Sequence, residues 1–342
     1  MPAIEARSVW FPSPGEVDIR SEMLPPISPH DVHITAISSA LSHGTEMLVY
    51  RGQVPAGLEL DLPTLAGSFQ FPVKYGYASV GRVIDVGDRV ENLRPGDLVF
   101  THHPHQTEYV VPANVPVRLR PACMPEDAVF LANLETAINI VLDAAPRLGE
   151  RVVVFGQGVV GLLVSQLLRR VGVGLLIAVD PFARRRELAV VSGADLALAP
   201  GAAVADAARQ QTSGAGVDLA IEVSGNPAAL ADAMSCLAIQ GTVVVASWYG
   251  TKQAPLPLGS AFHRRRLRLV SSQVGSLDPH LTPRWDRDRR MALAIDLLDK
   301  LRLRDLITHR VPFARAADAY RLVDREPEET GQVILTYEKA DV

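Results

Sequence analysis

The chain's most chemically explicit stretch is Gly156-Gln157-Gly158-Val159-Val160-Gly161, set between two apolar runs. Val152 to Phe155 lead into it as a β-branched run, and Leu162 to Val171 follow in an apolar helical pattern. A second apolar run, Leu175 to Val179, then ends on Asp180. The order is strand, glycine turn, helix, strand, acid, and each part has a task in holding a dinucleotide. Gly156 permits the tight turn, and Gly158 lets the backbone approach a pyrophosphate. Gly161 lets the helix pack closely on the sheet. Val159 and Val160 open the helix, where free N–H groups and the positive end of the helix dipole meet phosphate. Asp180 is placed to accept hydrogen bonds from ribose hydroxyls.

The rest of the composition agrees with a small-molecule enzyme. A chain of 342 residues is long enough for two domains. A formal charge of −4 argues against a dedicated nucleic-acid binder. Hydrophobic residues make up 48%, yet no apolar run approaches the ~18 residues of a membrane span. The first twenty residues carry early acids and prolines and lack the apolar core of a signal peptide. Two cysteines imply neither a disulfide framework nor a four-thiolate zinc lobe. The expectation is a cytoplasmic protein that acts on a small molecule, away from nucleic acid and membrane.

Elements that could position such a site follow from the patterning. Before Pro121, short strand-like segments broken by Gly and Pro predict a mostly β domain: Asp31–Ile37, Tyr77–Val86, Asp97–Phe100 and Glu108–Val111. A helical pattern runs from Glu126 to Ala145. Strands and helices then alternate through Leu267–Ser271, which predicts parallel strands joined by crossover helices. Beyond Gly275 come a Pro/Arg-rich loop, helices at Met291–Leu301 and Ala314–Val323, and a last strand at Gln332–Tyr337. The Ala-rich Gly201–Arg209 reads as low complexity.

This layout resembles the medium-chain dehydrogenase/reductase superfamily over nearly the whole chain. It resembles the alcohol and threonine dehydrogenase side in Ser42-His43-Gly44-Thr45-Glu46, in Tyr75-Gly76-Tyr77-Ala78-Ser79-Val80-Gly81-Arg82-Val83 and in Leu93-Arg94-Pro95-Gly96-Asp97-Leu98-Val99. Ser271-Ser272-Gln273-Val274-Gly275, with Arg284-Trp285 and Arg289-Arg290, is most similar to the bacteriochlorophyllide-dehydrogenase-like branch. The resemblance implies an α/β chain: a GroES-like β-rich catalytic domain over 1–123 and 272–342, and a Rossmann doubly wound parallel-sheet domain over 124–271. It also implies a homodimer.

Zinc members of that superfamily use a Cys in Cys-Gly-Thr-Asp, a His in Gly-His-Glu, and a third Cys or acid. Here Ser42 or His43 stands at the first place, Tyr77 and Ala78 at the second, and Ala132 or Asn133 near the third. A catalytic zinc takes about three N, S or carboxylate ligands, so no zinc is expected. A second possibility is a rewired metal site from His43 with His102, His103 and His105; the plainer reading of that loop is solvated histidines. By the resemblance, Thr45 is the hydroxyl that touches the substrate alcohol. His43 beside it can titrate near neutral pH and relay the proton. Tyr77 either donates to a substrate carbonyl or fills the emptied metal pocket, and Glu46 either orients His43 or pairs with Arg51.

Asp180 favours NAD over NADP by repelling a 2′-phosphate, although Arg184, Arg185 and Arg186 keep NADP possible. Arg185 matches the family's basic residue near the adenosine ribose. Thr136, Ser224 and Trp248 match positions lining the nicotinamide half, with Ser247 and Gln273 beside them. His263–Arg268 reads as the polar entry to a strand near the dimer interface. The arginines from Arg284 to Arg290 make either surface ion pairs or a clamp for an anionic substrate. The leading expectation is a zinc-independent, NAD-dependent oxidoreductase that interconverts a secondary alcohol and a ketone in specialised metabolism. The alternatives are a zinc-free quinone or enoyl reductase and a dinucleotide-binding structural or sensory protein without turnover.

Overall fold

Val152, Val153, Val154, Leu176, Ile177 and Ala178 are buried to the last atom, as strands covered on both faces must be. They belong to a six-stranded parallel sheet in a computed structural model that describes residues 4–338 apart from 56, 61, 63 and 66. The strand order is Leu196–Leu198, Leu175–Val179, Arg151–Phe155, Val217–Glu222, Leu237–Val245 and Arg268–Ser271. Numbered along the chain this is 3-2-1-4-5-6, the doubly wound Rossmann order, so the topology reverses between Arg151–Phe155 and Val217–Glu222. Ligands of such sheets bind beyond the carboxyl ends of the strands at that switch point, and both the glycine turn and Ser224 lie there. The Ala-rich stretch read as low complexity is the helix Ala202–Gln211, with Val204, Ala205 and Ala208 buried. Alanine serves there because it packs a helix closely without losing side-chain freedom.

The other fold is β-rich and GroES-like. A seven-stranded sheet runs Ile307–Pro312, Gln332–Thr336, Asp31–Ala40, Ser79–Val86, Leu98–Thr101 and Val117–Arg118, with Glu108–Pro112 also paired to Asp31–Ala40. A three-stranded sheet joins Asp18–Met23, Glu5–Phe11 and Val73–Lys74. Phe11, Tyr50 and Tyr320 meet edge-on and stacked in its core.

The chain divides into Met1–Ala132 with Leu303–Val342, and Asn133–Arg302. These limits differ from breaks at 123/124 and 271/272. The short helix Pro125–Ala128 stays with the β-rich unit because Ser38 Oγ donates to the Pro125 carbonyl, Asp127 pairs with Arg304, and Glu126 pairs with Arg310. Residues 272–302 stay with the dinucleotide fold because Arg290, on the helix Arg287–Leu297, is buried against Asn139 and the Val274 carbonyl.

Candidate active site

In the dinucleotide fold, Gly156 has φ +97, and a Cβ there would stand 2.6 Å from Ser224 Cα. Only glycine fits that crossing of the two switch-point strands. A Cβ on Gly161 would lie 1.9 Å from the Gly156 carbonyl, so the first helical turn rests on the glycine loop itself. Gly158 differs: a Cβ there would meet nothing nearer than Arg185 Nη1 at 4.0 Å. The space above Gly158 is open and faced by an arginine, which suits a phosphate approaching the helix Val159–Val171 at its N-terminus. Gln157 anchors the turn from below, donating to the Val154 carbonyl and accepting from Ser165.

Asp180 is buried at the end of its strand, where its two oxygens accept the N–H groups of Gln157 at 2.8 Å and Phe182 at 2.9 Å. The carboxylate thus holds the glycine loop, and it keeps lone pairs for ribose hydroxyls. Arg185 Nη1 lies 3.9 Å from it, with the guanidinium over the Phe182 ring at 4.9 Å. Arg186 turns to the Asp180 and Pro181 carbonyls.

At the end of Val217–Glu222, Ser224 donates to Glu222, and Ser247 Oγ accepts the Gly225 N–H at 2.8 Å. The Ser247 bond ties together two neighbouring strand ends, and Tyr249 adds a second tie with its bond to Glu222 at 2.5 Å. Glu222 and Tyr249 escaped the sequence reading; an acid ending a buried parallel strand was the available signal. Trp248, between Ser247 and Tyr249, is 37% exposed, so its ring is accessible. Thr136 lies on the helix Leu131–Ala144, flanked by Glu135. Glu135 pairs with Arg290 at 3.2 Å, and Asn139 reaches the Gln273 carbonyl. Arg290 is therefore not a surface ion pair: it is buried, and among the described residues its Nη atoms meet Glu135, Asn139 and the Val274 carbonyl. Arg289 stacks on Trp285 at 4.3 Å, and Arg287 donates to the Gly275 carbonyl.

In the β-rich unit, the turn from Asp31–Ala40 into the helix Thr45–Tyr50 brings Ser42, His43 and Thr45 together. Tyr77 donates to Ser42 Oγ at 2.5 Å and shares a hydrogen bond with Thr45. Burial and the nearby Glu46 charge push the Tyr77 phenol up to about 12, so at neutral pH it keeps its proton. Glu46 is fully buried and does not pair with Arg51. It accepts the Ser42 N–H at 3.0 Å, His105 Nε2 at 3.0 Å and the Tyr320 hydroxyl at 2.8 Å. Its place on the inward face of the helix explains the difference, and Arg51, nearer the surface, takes Asp324 instead. Three donors are what a carboxylate needs to sit away from water.

The histidine loop is not a solvated surface. His105 has no exposed area, and Ser39 Oγ lies 2.7 Å from its Nδ1. His103 stacks on Tyr109 at 4.0 Å, and burial lowers it to about 3, so it is neutral. His102 meets Phe100 edge-on. Among the described residues no group of three His, Cys, Asp or Glu side chains is arranged to hold a metal ion.

Residues 159–290 match the family model described as zinc-binding dehydrogenase. D-guloside 3-dehydrogenase of Escherichia coli (strain K12) is 30% identical over 338 residues, covering 90% of this chain and 93% of that one. L-threonine 3-dehydrogenase of Pyrococcus abyssi is 27% identical over 352 residues, covering 94% and 93%. A short chain alcohol dehydrogenase from Escherichia coli CFT073, complexed with NADH, has the same fold at TM-score 0.80 and 20% identity, covering 97% and 99%. The chain belongs to the medium-chain dehydrogenase/reductase superfamily, on its alcohol and threonine dehydrogenase side, and is an oxidoreductase of that kind. A zinc of the kind in that family's name takes thiolate, imidazole or carboxylate ligands. The groups that meet the Tyr77 hydroxyl are the hydroxyls of Ser42 and Thr45. The nearby carboxylate, Glu46, already accepts three hydrogen bonds.

Proposed function

We propose that the chain is an NAD-dependent dehydrogenase that interconverts a secondary alcohol and a ketone without zinc. The observation that carries this is Tyr77: a partly buried phenol, held protonated and set among hydroxyls where a zinc-using relative needs a ligand. Bound NAD supplies the ring that accepts or gives the hydride. Gly158 and the N–H groups of Val159 and Val160 are the pyrophosphate seat, and Asp180 with Arg185 faces the adenosine ribose. Thr136, Ser224, Ser247, Trp248 and Gln273 flank the nicotinamide half. Asp180 supports NAD over NADP, because a carboxylate there repels a 2′-phosphate.

In reduction, Tyr77 gives its hydroxyl hydrogen to the ketone oxygen, and Ser42, whose own hydroxyl can rotate, donates back to Tyr77 Oη. As hydride arrives from the reduced cofactor, the substrate oxygen becomes an alkoxide and takes the proton of Tyr77; His43, protonated at the start, restores that proton through the hydroxyls of Thr45 and Ser42 and ends neutral. The relative named for a 3-dehydrogenase acting on a guloside supports a ring-borne or open-chain secondary alcohol as substrate class. A panel of glycosides, vicinal diols and β-hydroxy amino acids, offered with NAD and read by cofactor reduction, tests the reading. Turnover of at least one secondary alcohol is expected. Tight NAD binding with no turnover across the panel would favour a binding protein instead.

A further inference from the structure

His105 takes no part in the chemistry just described, yet it touches Tyr77's surroundings from two sides. A Cβ on Gly76 would stand 2.9 Å from His105 Cδ2 and 3.0 Å from Nε2, so the backbone next to Tyr77 lies directly on the imidazole. From the other side, His105 Nε2 is 3.0 Å from Glu46 Oε2, while Glu46 Oε1 accepts the Ser42 N–H at 3.0 Å. Ser42 Oγ in turn receives the Tyr77 hydroxyl at 2.5 Å. Facing a carboxylate, Nε2 carries the hydrogen and donates. Nδ1 is fixed by Ser39 Oγ at 2.7 Å, and Ser39 by the Tyr337 hydroxyl at 2.8 Å. The ring therefore has one orientation.

We propose that His105 is the positioning residue for Tyr77: by seating Gly76 and holding Glu46 against Ser42, it fixes where the phenol hydroxyl sits. Its kinetic consequence rests on the reading that Tyr77 polarises the substrate oxygen, whereas the placement of Tyr77 can be measured without substrate. Asn and Gln at position 105 separate the two sides of the ring. The Asn amide reaches the Nδ1 position and keeps Ser39 but loses Glu46, whereas the Gln amide reaches the Nε2 position and keeps Glu46.

The test is NMR of the full chain carrying tyrosine labelled with carbon-13 at Cζ, with Tyr77→Phe assigning the Tyr77 signal among the seven tyrosines. Tyr50, in the same unit and with its hydroxyl donating to the Gly15 carbonyl, reports that the β-rich unit is folded. His105→Asn is expected to move the Tyr77 signal and His105→Gln to leave it near its original place. A Tyr77 signal unmoved in folded His105→Asn overturns the proposal, and so does an equal shift in both variants. With a turned-over alcohol, His105→Asn should lower kcat with NADH affinity unchanged, and that loss should vanish in a Tyr77→Phe background. A loss of equal size in that background would mean that His105 acts elsewhere. Failure of every panel alcohol to react would strike the functional reading and leave the NMR result standing by itself.

Discussion

At Tyr77 one hydroxyl separates catalysis from packing. Phenylalanine keeps the ring against Tyr75 at 6.1 Å but removes the hydrogen given to Ser42. Removing a donor aimed at developing negative charge costs ~10²-fold or more in kcat, so Tyr77→Phe should lose rate on that scale with cofactor affinity intact. A Tyr77→Phe enzyme with unchanged kcat would reduce Tyr77 to a packing residue. Asp180 supports a second prediction at this scale. Asp180→Ala should narrow the ratio of NADP(H) to NAD(H) dissociation constants, since the carboxylate attracts one ribose and repels the other's phosphate. Both affinities should fall as well, because Asp180 also holds the Gln157 N–H; titrations of both cofactors give the ratio. Tighter NADP in the unmodified chain would return the role to Arg184 and Arg185.

Among the elements, the helix Leu131–Ala144 and the helix Arg287–Leu297 are joined by a buried charge. Arg290 and Glu135 have side chains only 4% and 7% exposed, with Asn139 and the Val274 carbonyl completing the guanidinium's shell. Removing one partner strands the other charge away from water, which costs ~3–5 kcal/mol. Arg290→Ala should destabilise the dinucleotide unit by that amount in denaturant melts, and a loss under ~1 kcal/mol would show that water already screens the pair. Local sequence made the glycine loop legible, since strand, turn, helix and acid follow one another within thirty residues. The tie between Glu46 and His105 spans 59 positions, and that between Glu46 and Tyr320 spans 274. No periodicity or spacing encodes such a meeting, and so neither the His105 and Tyr320 partners of Glu46 nor the burial of His103 and His105 is legible in the sequence. Arg290 was misplaced for a similar reason: a run of Arg and Asp looks like a solvated face until a helix turns one member inward.

Over the whole molecule, the buried phenols set a limit on stability at high pH. Tyr77 and Tyr109 are pushed up to about 12, and Tyr320 and Tyr337 are raised too, all chiefly by burial and all in the β-rich unit. The folded state resists losing these protons while the unfolded chain loses them near 10. Stability from this source is therefore complete below pH 10 and falls as pH rises toward 12. Thermal melts of the β-rich unit should drop across that window, and a flat profile would contradict the burial of these hydroxyls. The fold class was readable because alternating strands and helices admit few topologies, and the β-rich unit because Gly and Pro punctuate its short strands. The boundaries were less so, since Asp127–Arg304 and Arg290–Asn139 decide them through contacts distant in sequence. The central claim is chemistry by hydroxyls in place of zinc, and metal content measured together with turnover tests it most directly. Protein dialysed against a chelator should contain no stoichiometric zinc and still reduce NAD with a secondary alcohol at its original rate. About one zinc per chain, with activity lost to the chelator and restored by zinc, would contradict it.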